Sequence, residues 1–344
     1  MSNLDIHLDS NYFVLMDDDN LSLGQAILLL TQQHNEQIAS EVIRKYCLET
    51  PVEKIQRVGM EFLYINGYYA DLQYLIIKNK ASLNTLNQQW AELFQILLDR
   101  RYKRNKAHIY LQRLKEVRTA DPELICLIEF TRLSLYYDQN EFGKIGNLLE
   151  KQPQLFRKIE DDFILSSCYL RLYQHLFVYY WVRNEVIMAR KYAFRALNET
   201  NSALTKSAIN TNLGLTYTFD TYQQGIHHLH QALKISKKHG LENIYQSIKE
   251  YNIPFLAAHF KQVEGITSID KSEQAHIEIA KGNNEKAIHI LKDVPMDSPF
   301  KLYYLGLAKQ DEAILEKAYT DFIEKRSDYF FSRLPFNALK RLRG

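Results

Sequence analysis

The stretch from Met188 to Lys238 restricts the fold of this chain more than any other. Ala189, Tyr192, Ala193 and Ala196 recur at helical spacing, and the polar run from Asn198 to Asn201 ends that pattern. A second apolar stripe holds Ala208, Ile209, Leu213, Gly214 and Tyr217. After Phe219-Asp220 a third carries Ile226, Leu229, Leu233 and Ile235. Helix, elbow, helix, with small residues where two backbones must approach, is a tetratricopeptide-like unit. One such hairpin cannot cover its own apolar face, so it stacks on copies of itself. The expected fold is all-α, a tetratricopeptide-like helical-hairpin solenoid with a distinct C-terminal capping helix.

The rest of the chain follows the same rhythm. Ser22 has the character of an N-cap, with helices expected from Leu23 to Gln33 and from Asn35 to Leu48, and Pro51 opening the next. Polar elbows fall at Asn66-Gly67, Asn105, Asn140, Asn184, Asp220, Asn283 and Gln310. The long interval between Asp220 and Asn283 leaves room for an extra helix over 242–260, interrupted at Pro254. Residues 265–270 read as a connection, and Asp270 with Glu273 as a capping box at the next helix start. Four segments are expected: a lead-in over 1–20, a repeat array over 21–264, a second array over 265–326, and a cap over 327–344. The lead-in ends in Asp17-Asp18-Asp19-Asn20 without calcium-loop spacing, so a solvated loop is expected there.

Composition narrows the function classes. Hydrophobic residues make up 46% of the 344, with only 12 Gly and 7 Pro, so a helical core is well supplied. A formal charge of +2 creates no global attraction for nucleic acid or an anionic membrane. No apolar run reaches ~18 residues and the N-terminus lacks a signal-peptide pattern, so a cytoplasmic protein is expected. Cys47, Cys126 and Cys168 lie far apart in apolar helical runs and read as buried thiols. Phosphate loops, zinc-helix motifs and nucleophile elbows are absent, so no enzyme and no cofactor is expected. His227, His228, His230 and His239 lack thiols or carboxylates at ligand spacing, and no metal is assigned.

Three groups remain as candidate contact residues. Arg100, Arg101, Lys103 and Arg104, with Tyr102 between them, could grip phosphates. The same cations sit at a helix end, where they suit the macrodipole, and Glu92, Asp99 and Glu116 lie close in sequence. Thr205, Asn212 and Thr216 form a polar stripe on an apolar helix. Inside the curve of a solenoid, such a stripe implies water or a ligand backbone. Asn212 and Thr216 are then expected to face Tyr303 or Asp328. Glu273, at a helix start, is either a local cap or a carboxylate open to a ligand cation. Last, Phe331, Leu334, Phe336, Leu339 and Leu342 make an apolar cap that either packs back on Ile314, Leu315 and Phe322 or forms a homodimer; the homodimer is expected.

The segment from Val42 through Cys47, the run ARKYAFRAL at Ala189–Leu197, and the tail SDYFFSRLPFNALKRL are similar to the arbitrium receptors of temperate Bacillus phages, the AimR family. The similarity runs from about Leu21 to the C-terminus. It implies a tetratricopeptide-like superhelix that binds a short peptide in its groove, regulates the lysis–lysogeny decision, and dimerises through a C-terminal element. It further implies peptide contacts at Asn212, Thr216, Glu273, Asp328 and Phe330. Leu204 stands where some relatives carry an arginine, and Val178 and Val182 stand near positions where they carry asparagines. The family places a helix-turn-helix before the superhelix. Twenty residues before Leu21 cannot supply one, so sequence-specific DNA binding is not expected from this chain. A regulator that titrates a partner protein is the alternative, and a nucleic-acid binder using Arg100–Lys106 is the second.

Overall fold

The computed structural model describes residues 21–149 and 152–344. The lead-in and its acidic run lie outside the described residues. Among those described, every regular element is helical. Two compact units result, Met1–Leu135 with Lys151–Tyr169, and Tyr136–Glu150 with Leu170–Gly344. In chain order the helices are α1 (Leu23–Gln33), α2 (Glu36–Glu49), α3 (Glu53–Asn66), α4 (Tyr69–Lys80), α5 (Thr85–Arg101), α6 (Ala107–Glu116), α7 (Pro122–Asp138), α8 (Ile145–Leu149), α9 (Gln152–Phe156) and α10 (Asp162–Val182). They continue as α11 (Val186–Asn198), α12 (Ala203–Leu215), α13 (Tyr222–Lys238), α14 (Glu242–Ser247), α15 (Ile253–His259), α16 (Lys271–Ala280), α17 (Asn284–Leu291), α18 (Pro299–Lys309), α19 (Glu312–Glu324) and α20 (Arg333–Arg343). Among the described residues no helix is long and apolar enough to cross a membrane.

In the first unit Ser22 caps α1 with a complete capping box: its hydroxyl accepts from Gln25 N, and the Gln25 side chain accepts from Ser22 N. Pro51 does not open α3. The N-cap is Val52 and the helix begins at Glu53, so the proline sits in the extended lead-in before it. Trp90 and Phe94 stack in the core of α5, and Cys47, Cys126 and Cys168 are buried free thiols. Burial raises the Cys47 thiol pKa, which keeps it protonated and unreactive.

The second unit carries the hairpins that were most legible. α12 and α13 approach until a Cβ placed on Gly214 would stand 2.8 Å from the Gly225 carbonyl oxygen. Glycine at both positions is what permits that approach. Several expected elbows are formed by residues in the left-handed region, Asn140, Asn184 and Gln310 among them. Asparagine tolerates that conformation better than most side chains, which is why it marks these breaks. Pro254 does not break its helix outright. The chain passes through a π segment, Ile248–Asn252, directly into α15 with Pro254 in its first turn. Proline at 254 has no N–H for the carbonyl of Glu250, four residues earlier. That carbonyl instead accepts from Ser268 Oγ at 2.6 Å, while the buried Glu250 carboxylate accepts from Ile269 N at 2.7 Å. The 265–270 connection is thus fastened to the irregular turn.

The C-terminal cap, α20, packs on α19 of its own chain. Phe331, Leu334 and Leu339 are buried in the same core as Leu315, Phe322 and Trp181. Of the two alternatives for the apolar cap, Phe331, Leu334 and Leu339 take the one that packs back on the chain, because α19 offers a matching apolar face. Phe336 and Leu342 remain exposed, at 42% and 39%.

Candidate functional site

A cavity of about 460 Å³ lies in the second unit, a size suited to a small ligand. Its apolar wall comes from Val178, Trp181 and Val182 of α10, Leu215 of α12, and Phe255, Phe300 and Phe331. The polar groups around it include Asn212, Asn252, Asp270, Glu273, Lys301, Tyr304, Arg326 and Asp328. Val178 and Val182 thus form part of the cavity wall.

Each acidic group is held by local structure. Asp270 caps α16, its carboxylate accepting from Ser272 N at 2.9 Å and Glu273 N at 3.1 Å. Glu273 does not complete the box. Its Oε1 accepts from the Tyr304 hydroxyl at 3.0 Å, and its Oε2, 3.7 Å from His276 Nδ1, is buried without a hydrogen bond. His276 stacks on Tyr304 at 4.2 Å between centroids, which fixes both rings behind the carboxylate. The capping and ligand readings of Glu273 thus separate: Asp270 does the capping, and Glu273 turns to the cavity wall.

Asp328 is built by the turn before α20. Its backbone N–H donates to Phe322 O at 2.9 Å, and Oδ1 accepts from Phe331 N at 2.9 Å. The N–H groups of Tyr329 and Phe330 both donate to Val182 O, so this turn covers the C-terminal end of α10. Burial pushes the Asp328 carboxyl up to about 6, against the pull of the Phe331 N–H and the Arg326 charge. Arg326 is itself lowered by burial. One Nη donates to Asn140 Oδ1 at 2.9 Å, and its Nε is buried with no partner.

Of the expected peptide contacts, the structure brings Asn212, Glu273 and Asp328 to this cavity. Thr216 is elsewhere: its hydroxyl donates to Leu213 O at 2.7 Å and accepts from Arg190 Nε at 3.0 Å, which uses it up. Thr205 is half-buried in the first turn of α12, where its N–H donates to Ser202 Oγ. Phe330 is packed in the core against Trp181 and Phe219. Tyr303 faces a second cavity of about 430 Å³ with Thr218, His259, His276, Arg333 and Arg341. There burial lowers His259 to about 4. Phe331, expected in a dimer contact, lines the first cavity instead. Trp181, Asn252, Tyr304 and Arg326 were not anticipated. Arg326 sits in a charged stretch, EKRSDY, that reads as solvated surface, and only the turn at Asp328 folds it inward.

The basic stretch of the first unit is largely spoken for. Arg104 pairs with Asp99 at 2.9 Å, and Arg113 bridges Glu92 and Asp99 at 2.6 and 2.9 Å. Arg101 lies over the Tyr69 ring, Arg100 donates to Ser134 O, and Lys103 occupies the left-handed turn after α5. Among the histidines, His228 stacks on Tyr217 at 5.7 Å and bonds Asn210, and burial lowers its pKa.

Comparison with known proteins then places the chain. It matches the family described as AimR transcriptional regulator-like over residues 39–341. The chain belongs to that family. A solved structure of phAimR with its ligand superposes with a TM-score of 0.80 at 20% identity, covering 94% of this chain and 98% of that one. A selenomethionine form of phAimR gives 0.70 at 19%, covering 94% and 86%. A STAND-class signal-transduction ATPase with a tetratricopeptide-repeat sensor, from Pyrococcus horikoshii, gives 0.53 at 16%, covering 93% of this chain and 54% of that one. At these identities the likeness is one of fold, an all-α array of tetratricopeptide-like hairpins. No curated protein sequence matches this member of the AimR-like family.

Proposed function

We propose that this chain is a non-enzymatic, peptide-responsive regulator of the bacterial cytoplasm that takes a short peptide into the 460 Å³ cavity. The observation that carries the reading is the cavity's unfinished hydrogen bonding. Glu273 Oε2, Asn252 Oδ1, Arg326 Nε and Trp181 Nε1 are all buried without a hydrogen bond, and all four residues line it. Buried polar atoms are rarely left so, and a peptide offers backbone donors and acceptors to satisfy both kinds. The aromatic wall supplies apolar contact, while Asn212, Glu273 and Asp328 supply orientation. Family membership and the ligand-bound relative support the same reading. A homodimer through the exposed remainder of the cap, Phe336 and Leu342, belongs to it.

The test is retention of a synthetic pool of randomised hexapeptides, read by mass spectrometry. The wild-type chain should retain a restricted sequence subset, and Glu273→Gln or Asp328→Asn should lose or alter it. A wild-type chain that retains no more than a Phe255→Trp, cavity-filled variant would overturn the proposal.

A further inference from the structure

The two unpartnered donors of the cavity lie on one aromatic cluster. The Trp181 ring meets Phe331 edge-on at 5.5 Å, Phe331 meets Phe300 at 5.0 Å, and the Arg326 guanidinium carbon stands 5.7 Å over Phe300. Arg326 has a single neutral hydrogen-bond partner, Asn140, and among the described residues it forms no ion pair. A largely buried guanidinium that feels Asp328 only through its charge, with no carboxylate hydrogen-bonded to it, is costly, and its planar fork fits a two-oxygen anion. The other cation of the wall, Lys301, is already paired with Asp297 at 2.8 Å. The unpartnered acceptors, Asn252 Oδ1 and Glu273 Oε2, stand on other elements, the π segment and α16.

We propose that Arg326 is an anion subsite that seats the free carboxylate of the ligand, with the Trp181 N–H a further donor in the same cavity wall. This rests on the reading of the cavity as a peptide site, and it assigns one end of the peptide. The anion is a carboxylate rather than a phosphate on charge grounds. Glu273 and Asp328 share the cavity with Arg326, and a second negative charge on the ligand would be repelled by both. A peptide that is anionic at one end and donor-rich at the other satisfies the orphan donors and the orphan acceptors together. Arg326 also follows α19 directly and precedes the Asp328 turn, so an anion there bears on the segment that leads into α20.

The hexapeptide pool is prepared twice, as free acids and as C-terminal amides, and offered to the wild-type chain, Arg326→Gln and Arg326→Lys. The expected result is retention of acids over amides by wild type, with a loss of about thirtyfold or more for acids in Arg326→Gln, the size expected when one partner of a buried charge pair is removed. Arg326→Lys should restore part of it. Equal retention of acids and amides by wild type would overturn the subsite and leave the peptide reading standing. If neither pool binds, the subsite is tested alone by melting temperature with N-acetylphenylalanine, its amide, and inorganic phosphate at matched ionic strength. A rise in wild type with the acid alone, absent in Arg326→Gln, supports it. No rise, or an equal rise with the amide, overturns it.

Discussion

Gly214→Ala probes the close approach on which the second unit is organised. The added methyl would stand 2.8 Å from the Gly225 carbonyl oxygen and 2.9 Å from Leu229 Cγ. The first obstacle is backbone, which cannot rotate aside, so α12 and α13 must separate by a few tenths of an ångström. Overpacking of this kind costs about 2–3 kcal/mol, and alanine's better helix propensity returns about 1. A net loss of about 1–2 kcal/mol corresponds to a fall of roughly 2–8 °C in melting temperature for a unit of this size. Gly24→Ala is the control. Its methyl would meet Phe163 Cβ at 3.4 Å, an ordinary contact, so the propensity gain should dominate and stability should hold or rise. Scanning calorimetry of both variants gives the comparison. A Gly214→Ala chain as stable as wild type would show that the two helices are not packed as described.

Two further perturbations bear on the site and the cap. Because the Asp328 carboxyl is raised to about 6, its ionised form is the disfavoured one in the folded chain. That penalty is absent below the unfolded value near 4, grows between pH 4 and 6, and is complete above 6. Asp328→Asn, whose Oδ1 can still accept from Phe331 N, should therefore gain up to about 3 kcal/mol over wild type at pH 8. The gain should vanish toward pH 4 in denaturant titrations. A difference independent of pH would remove the burial argument, and using the difference separates Asp328 from His259, whose lowered pKa costs stability as pH falls. In the cap, Leu339→Ala should cost about 2–5 kcal/mol because Leu339 is buried against its own chain. Phe336→Ala should cost little in stability but weaken self-association in sedimentation. A large stability loss at Phe336 in a monomer would contradict the exposure seen here.

Much of the fold was legible because hairpin packing writes itself into sequence as apolar periodicity and elbow residues. Asn140, Asn184 and Gln310 were placed correctly as elbows for a local reason, the backbone conformation they adopt. The failures came where geometry is not periodic. Thr216, the C-cap of α12, lies one turn after Asn212, yet Arg190 from α11 claims its hydroxyl, a partner that spacing along the chain does not reveal. Pro254 suggested a break, while the π segment and Ser268 absorb its missing N–H. For the site, Glu273 and Asp328 could be singled out from the residues together with the family resemblance. Arg326 and Trp181 could not, since only the turn after α19 brings a charged loop beside an α10 aromatic.

The central claim is that the α10–α16–α18 cavity is where a peptide binds, and Trp181 in its wall reports on it. The chain has two tryptophans, so Trp90→Phe leaves Trp181 as the sole indole. Titrating this variant with the peptides retained from the free-acid pool should shift its emission saturably, and the shift should be lost in Glu273→Gln or Asp328→Asn backgrounds. Retained peptides that bind tightly yet leave Trp181 emission unchanged would place the ligand elsewhere and contradict the account.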